Sequence, residues 1–356
     1  MHDRIARVRA RLDHHKLDAL LVSSPVNVRY LFGFTGSNSL ALITHDLSFF
    51  ITDRRYIQQS EQQVQNAKII IAKKDLISEL KNIEPLPSGL KIGFESLHLR
   101  VKDYLELKKA LPQLKLIGSE RIVEGIASIK EPDEIENIRQ AAAICSQVFA
   151  DVLALIKPGI SELDVSAEVS YRTRKLGSER DPFEPIVASG KRSALPHGIS
   201  TSQKLSAGDL IIVDFGAVVN GYAADITRTV VLGELTPKQR EMAEVVSQAL
   251  EAAEAAARPG GTGKQLDEVA RNYIRERGFG DLFQHSLGHG LGLDVHELPR
   301  IGEFSNDPIA AGNVITLEPG LYDAEHGGVR IEDDFVVTNS GVENLTPFSR
   351  EVVSLG

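Results

Sequence analysis

The spacing of apolar residues changes repeatedly along the first third of the chain. Over residues 5–17 they recur at helical intervals among arginines and histidines, which predicts a basic amphipathic helix. The continuous apolar run at 19–22 predicts a buried strand. Apolar runs over 39–43 and 48–52 flank His45-Asp46, the pattern of a hairpin. Asp53 suits the cap of a helix that continues through Tyr56 to Val64. Residues 69–71 and 91–94 predict further strands, and residues 101–110 a helix that Pro112 ends. These elements describe an α/β domain with mixed strands over residues 1–127. It carries no phosphate-binding glycine loop and no catalytic cluster. Asn27, Tyr30, Phe32 and Arg55 lie near its loops and read as packing or dimer contacts.

Residues 124–130 read as a linker. Glu131-Pro132-Asp133-Glu134 then opens a helix, with proline early and acids in the first turn. That helix stops at Lys157-Pro158-Gly159, and Ser161-Glu162-Leu163-Asp164 starts a second one that runs to about residue 176. Residues 234–258 and 263–277 form a similar pair, split by Pro259-Gly260-Gly261. Glycine-rich strand segments follow each pair. Residues 128–356 are therefore expected to form an α+β domain with internal pseudo-symmetry.

Composition narrows the partners. With 42% hydrophobic and 25% charged residues, a normal soluble core is expected. A net charge of −9 argues against nucleic acid and against an anionic membrane as partner. Cys145 is the single cysteine, so an internal disulfide is excluded, and it reads as a small core residue. Met1-His2-Asp3-Arg4 lacks an apolar leader core, and no run is long enough to span a bilayer. A cytoplasmic location is the resulting expectation.

Five residues of the second domain stand in locally unusual stretches. They are Asp214 in Val213-Asp214-Phe215-Gly216, Asp225 in Ala224-Asp225-Ile226-Thr227, His289 in Gly288-His289-Gly290, Glu318 in Leu317-Glu318-Pro319-Gly320, and Glu332 in Arg330-Ile331-Glu332-Asp333. Singly, each would be a cap, turn or loop residue. Jointly, four carboxylates and an imidazole need cations, and the set reads as a paired divalent-metal site that makes hydroxide from water. Asn220-Gly221 is a strong two-residue hairpin signal. With it as the turn, Val219 faces Tyr222 and Asp225 faces Gly216. Asp214 and Asp225 then share a face as diagonal neighbours roughly 7 Å apart, either side of metals about 3.5–4 Å apart. Residues 313–317 predict a strand that delivers Glu318. Residues 329–337 are its expected antiparallel partner, with Arg330 and Glu332 on one face and Asp333 turned away. Glycines at 288, 290 and 292 would let the backbone at His289 approach a ligand closely.

These motifs resemble the metallopeptidase family with the pita-bread fold, which includes methionine aminopeptidases, aminopeptidase P, prolidase and the related creatinase. The likeness covers about residues 130–350. Phe34-Thr35-Gly36-Ser37 and Thr52-Asp53-Arg54-Arg55-Tyr56 are similar to the creatinase-like N-terminal domain of the prolidase, aminopeptidase P and creatinase branch. The resemblance implies Asp214, Asp225, His289, Glu318 and Glu332 as ligands of two divalent metal ions, with Asp225 and Glu332 near both. Manganese or cobalt is implied first, and zinc or iron would also suit these donors. Glu318 would shuttle the proton from water to the leaving nitrogen. His296, in Val295-His296-Glu297, would stabilise the oxyanion, and His197, in Leu195-Pro196-His197, would position substrate. His285 reads first as structural. Arg330 would bind a carboxylate or orient Glu332, and Arg300 would clamp the free carboxylate of a dipeptide.

The implied activity is hydrolysis of Xaa-Pro peptide bonds, by an Xaa-Pro dipeptidase (prolidase) ahead of an Xaa-Pro aminopeptidase (aminopeptidase P). Aminopeptidase P more often shows Ser-His-Trp where this chain has Gly288-His289-Gly290. A creatinase-type amidinohydrolase and a non-catalytic binding protein are remote alternatives, because such relatives have lost ligands that this chain keeps. A proline-containing peptide is the implied substrate and a homodimer the implied assembly.

Overall fold

The structure is a computed structural model that describes residues 4–83 and 86–355. Residues 1–3, most of the stretch read above for a leader, lie outside the described residues. The chain divides into two compact units, Met1–Ala127 and Ser128–Gly356.

In the first unit α1 (Arg4–His15) buries Ile5, Val8 and Leu12 along one side. It is followed by β1 (Ala19–Val22), α2 (Pro25–Phe32), β2 (Ser39–Thr44), β3 (Ser48–Asp53), α3 (Ile57–Gln63), β4 (Lys68–Ala72), α4 (Leu76–Glu79), β5 (Lys91–Glu95), α5 (Val101–Ala110), β6 (Lys115–Ser119) and α6 (Glu124–Ala127). The strands make one mixed sheet in the order β4-β3-β2-β1-β5-β6, antiparallel where β2 meets its neighbours and parallel elsewhere. Asp53 accepts from the Arg55 backbone N–H, but it caps a short 3-10 turn that leads into α3 rather than the α-helix itself. Asn27, Tyr30 and Phe32 lie buried on α2, not in a loop. Asn27 Nδ2 donates to Glu95 (2.6 Å) and to Glu124 (2.8 Å), a packing role. The stretch read as a linker begins with α6.

The second unit runs α7 (Pro132–Leu153), α8 (Glu162–Lys175), β7 (Ile186–Ser189), β8 (Leu210–Val219), β9 (Tyr222–Leu232), α9 (Pro237–Ala256) and α10 (Gly263–Glu276). It continues with β10 (Gly288–Gly290), β11 (Glu297–Ile301), β12 (Val314–Leu317), β13 (Gly320–Asp323), β14 (Gly327–Arg330), β15 (Asp333–Val337), β16 (Val342–Asn344) and β17 (Val353–Leu355). All four long helices start with a capping box, in which the N-cap and the third helical residue satisfy each other's backbone N–H groups. The first helix pair precedes the sheet β17-β9-β8-β7, and the second precedes β11-β10-β12-β15-β16. This is the two-part α+β plan expected from the helix spacing. Met242, Val246 and Leu250 of α9 and Leu266 and Ile274 of α10 are buried in one core with Ile315, Leu317 and Phe335. Each such side chain contributes about 1.5–3 kcal/mol by leaving water.

Two strand arrangements position the chemistry. Asn220 and Gly221 both have positive φ (48° and 90°), as a type I′ turn requires. They fix the β8–β9 register at Val219↔Tyr222 and Gly216↔Asp225, as the turn chemistry implies. Residues 329–337, by contrast, are not one strand. β14 pairs with β13, β15 pairs with β12, and the chain passes between the two sheets at Ile331-Glu332. The break has a partner: the Glu332 N–H donates to the Thr227 carbonyl of β9 (3.1 Å), which draws the chain out of both ladders. Among the described residues no helix is long and apolar enough to cross a membrane.

Candidate metal centre and its cavity

The β8–β9 hairpin brings Asp214 and Asp225 to one cavity. Asp214 pairs in register with Thr227, whose hydroxyl donates to Glu332 Oε2 (2.7 Å). Leu317 pairs with Asp333, so Glu318 and Glu332, one step beyond that pair, meet at the end of β12–β15. His289 is carried by β10 between β11 and β12. A Cβ at Gly288 would lie 2.1 Å from the Thr316 carbonyl oxygen, and one at Gly290 2.1 Å from that of Leu298. These glycines let the neighbouring strands approach closely.

All five residues line one cavity of about 270 Å³. His197, His296 and Arg330 line it too, as do Phe183, Ile186 and Ile199. Tyr322 and His285 line it as well, neither of them placed in the site from the sequence. His285, read as structural, presents Nε2 to the Tyr322 hydroxyl at 2.8 Å, and Tyr322 lies on β13 opposite β14. Only the β13–β14 pairing, invisible in the local pattern, brings Tyr322 beside Arg330. Arg300 stands apart: its side chain is exposed on β11 and is not among the residues lining the cavity.

The electrostatics test whether this donor set suits cations. Burial first, then Glu332 and Asp214, push the Asp225 carboxyl well above its ordinary range. Burial and Glu332 do the same to Glu318. Burial and Asp214 raise Glu332 to about 8. Burial raises Asp214 as well, against the pull of Arg330. Burial and the neighbouring His296 lower His289 to about 4, so its imidazole is neutral. Asp214 Oδ1 and Asp225 Oδ1 are buried with no hydrogen-bond partner among the described residues. Asp225, His289 and Glu332 offer ligand atoms within 4.8 Å of one another, and His289 Nε2 lies 3.4 Å from Glu318 Oε1. His289 Nδ1 faces the Gly290 carbonyl (3.0 Å); a proton there leaves the Nε2 lone pair towards the carboxylates. Repelling, orphaned carboxylate oxygens beside a neutral imidazole, with no thiolate, fit divalent cations of hard to borderline character.

Buried arginines hold the carboxylates in place. Arg330 Nη2 donates to Asp214 (2.6 Å), its Nε to Thr227 (3.2 Å), and its Nη1 to the Tyr322 hydroxyl (2.8 Å) and the Pro196 carbonyl (3.1 Å). Of the two readings of Arg330, binding a carboxylate or orienting Glu332, the hydrogen bonds show it holding the carboxylate of Asp214. Arg228 donates to the Glu332 carbonyl and to Asp333 (both 2.6 Å), which holds the backbone at Glu332 and turns Asp333 away from the cavity. The buried Lys130 binds Glu297 Oε2 (2.9 Å), and Glu297 Oε1 accepts from the Asp294 N–H (3.0 Å), which fixes the turn carrying His296.

Residues 136–339 match metallopeptidase family M24. The chain belongs to that family. Residues 4–128 match the creatinase/prolidase N-terminal domain, so this M24 chain combines a creatinase-like first domain with a pita-bread catalytic domain. Enzymes of the family use a dinuclear divalent metal centre. The chain is 36% identical over 357 residues to the Xaa-Pro dipeptidase of Pyrococcus furiosus, covering 99% of this chain and 100% of that one. The solved Xaa-Pro dipeptidase from Bacillus anthracis superposes with a TM-score of 0.96 at 37% identity, over 99% of both chains. The X-Pro aminopeptidase from Thermotoga maritima superposes with a TM-score of 0.88, also at 37% identity, over 97% of this chain and 100% of that one.

Proposed function

We propose that this M24 metallopeptidase is an Xaa-Pro dipeptidase. The observation that carries the reading is the convergence of Asp214, Asp225, His289, Glu318 and Glu332 with His197 and His296 on one cavity. It is supported by the full-length match to named Xaa-Pro dipeptidases. The five would hold two divalent ions, manganese or cobalt first, with zinc or iron also suited to the donors. Bound there, such ions supply Lewis acidity and lower the pKa of water.

The chain's own groups then divide the work. Glu318 accepts the proton of the attacking water and delivers it to the proline nitrogen as the C–N bond breaks. His296 donates to the carbonyl oxygen as negative charge builds on it. His197, which lines the cavity with Asp214, binds the substrate beside the scissile bond. Arg330 has most of its donors committed within the protein, so its part is to hold Asp214. Arg300 is the cation that the motif offers for a dipeptide's free carboxylate.

Aminopeptidase P is the second reading. It is favoured by the match to the Thermotoga maritima aminopeptidase and by the exposure of Arg300 outside the cavity lining. Cleavage of an Xaa-Pro dipeptide and a matched Xaa-Pro-Yaa tripeptide, after chelation and again after adding Mn²⁺, Co²⁺ or Zn²⁺, separates the two. Metal-dependent cleavage confined to the dipeptide supports the dipeptidase. Efficient cleavage of the tripeptide makes it an aminopeptidase, and no cleavage of either sinks both. By resemblance, the working form is a homodimer; light scattering on the purified chain checks the assembly.

A further inference from the structure

We infer that Glu162 is a positioning residue for His197, through a buried carboxylate that ties together both ends of the segment carrying that histidine. Glu162 opens α8, and its side chain is 0% exposed. It is not among the residues lining the cavity. A carboxylate so placed must be fully hydrogen-bonded to be tolerated, and the identity of its donors is the point. Oε1 accepts from the backbone N–H and the hydroxyl of Ser189 (2.8 and 2.9 Å). Oε2 accepts from the backbone N–H and the hydroxyl of Thr201 (2.9 and 2.8 Å). Ser189 is the last residue of β7, and Thr201 follows the loop that contains Pro196-His197-Gly198-Ile199. One side chain therefore closes that loop at its base.

A second tie runs from the same carboxylate into the loop. Arg192 Nε is shared between the two Glu162 oxygens (3.3 and 3.2 Å), and its Nη2 donates to the Ile199 carbonyl. On the other side of His197, Arg330 holds the Pro196 carbonyl (3.1 Å). The backbone flanking His197 is thus held at 196 from the metal-site side and at 199 from Glu162. Only a carboxylate does this without conflict: glutamine would aim an NH₂ at donors of either Ser189 or Thr201. The inference rests on the role proposed above for His197.

The test is a double-mutant cycle with Glu162→Gln and His197→Ala, reading kcat and KM on an Xaa-Pro substrate together with metal content and melting temperature. Glu162→Gln is expected to lose on the order of a hundredfold in kcat/KM, as a group displaced by about 1 Å does, with metal content unchanged. In the His197→Ala background the same substitution is expected to cost nothing further, because the group it positions is gone. Thr201→Val, which deletes one hydroxyl donor, gives the same cycle if Glu162→Gln does not fold, with a smaller loss in the parent and none in the His197→Ala background. Full activity of the folded Glu162→Gln variant, or losses that multiply in the double variant, would overturn the proposal. Full activity of His197→Ala alone would overturn the role of His197, and the proposal with it, and the single variant makes that case recognisable.

Discussion

Arg330 and Asp214 form a buried ion pair, Nη2 to Oδ2 at 2.6 Å, in which one oxygen of the carboxylate is bound and the other has no partner among the described residues. The arginine also grips Pro196 and Tyr322, so it sets one ligand candidate against the His197 segment. Removing one member of a buried pair strands the other. Arg330→Met in the metal-free protein is expected to cost about 3–5 kcal/mol of stability, measured by urea unfolding. Arg330→Lys keeps the charge but cannot span the same acceptors, so it is expected to fall between the two. An unchanged unfolding midpoint in Arg330→Met would mean that Asp214 does not depend on its partner.

Much of this arrangement was legible along the chain where one local rule decided the outcome. Asn220-Gly221 has the turn chemistry that sets a two-residue register, and Asp214 and Asp225 followed from it. The rule failed at 329–337, because alternation cannot show that Glu332 leaves its ladder for Thr227 of another sheet. α2 was missed for a different reason: Asn27, Val28, Tyr30, Leu31 and Phe32 are all buried, so it has little of the polar face that marks an amphipathic helix. Tyr322 and Glu162 carry no signal of their own. Ser189 and Thr201 are distant from Glu162 in sequence, and it takes the β13–β14 pairing to set Tyr322 against Arg330.

Without metal, the carboxylate cluster gives an unusual dependence of stability on pH. Glu332 has its folded pKa raised from 4.5 to about 8, with Asp225 and Glu318 raised as well. In that window the folded state binds more protons than the unfolded state, so its stability is present at low pH and is lost as pH rises through 8. His289 acts oppositely, lowered from 6.5 to about 4, but its effect is complete by 6.5. The clean interval is therefore pH 6.5–8. The melting temperature of the chelated protein is expected to fall across it, and Mn²⁺ is expected to abolish the fall. A flat or rising profile in the chelated protein would refute the assignment.

Glu318 separates catalysis from stability. Substituting Gln removes the proton carrier and is expected to lower kcat by about 10²–10⁴-fold. The same change takes an acid out of a buried, repelling cluster, since burial and Glu332 already penalise its ionised form. The metal-free Glu318→Gln protein is thus expected to melt higher than the parent while turning over far less. His296→Ala is expected to lower kcat with little change in melting temperature, because its side chain is exposed at the cavity. Near-normal turnover in either variant would remove that residue from the mechanism.

Arg300 decides between dipeptides and longer peptides. It lies on β11 four positions after His296, exposed; its backbone N–H donates to Asp307 (3.0 Å), and among the described residues its side chain has no hydrogen bond or ion pair. A free side chain can swing to a substrate carboxylate at small cost, and a charge-assisted bond of this kind is worth about 1.5–3 kcal/mol. Arg300→Ala is therefore expected to raise KM for an Xaa-Pro dipeptide by roughly 10–100-fold. The C-terminally amidated dipeptide, which has no carboxylate to bind, is expected to lose nothing. Melting temperature should move little, since among the described residues no side-chain hydrogen bond or ion pair is removed. Equal losses on the acid and the amide would make Arg300 a structural residue of β11 and shift the assignment towards the aminopeptidase.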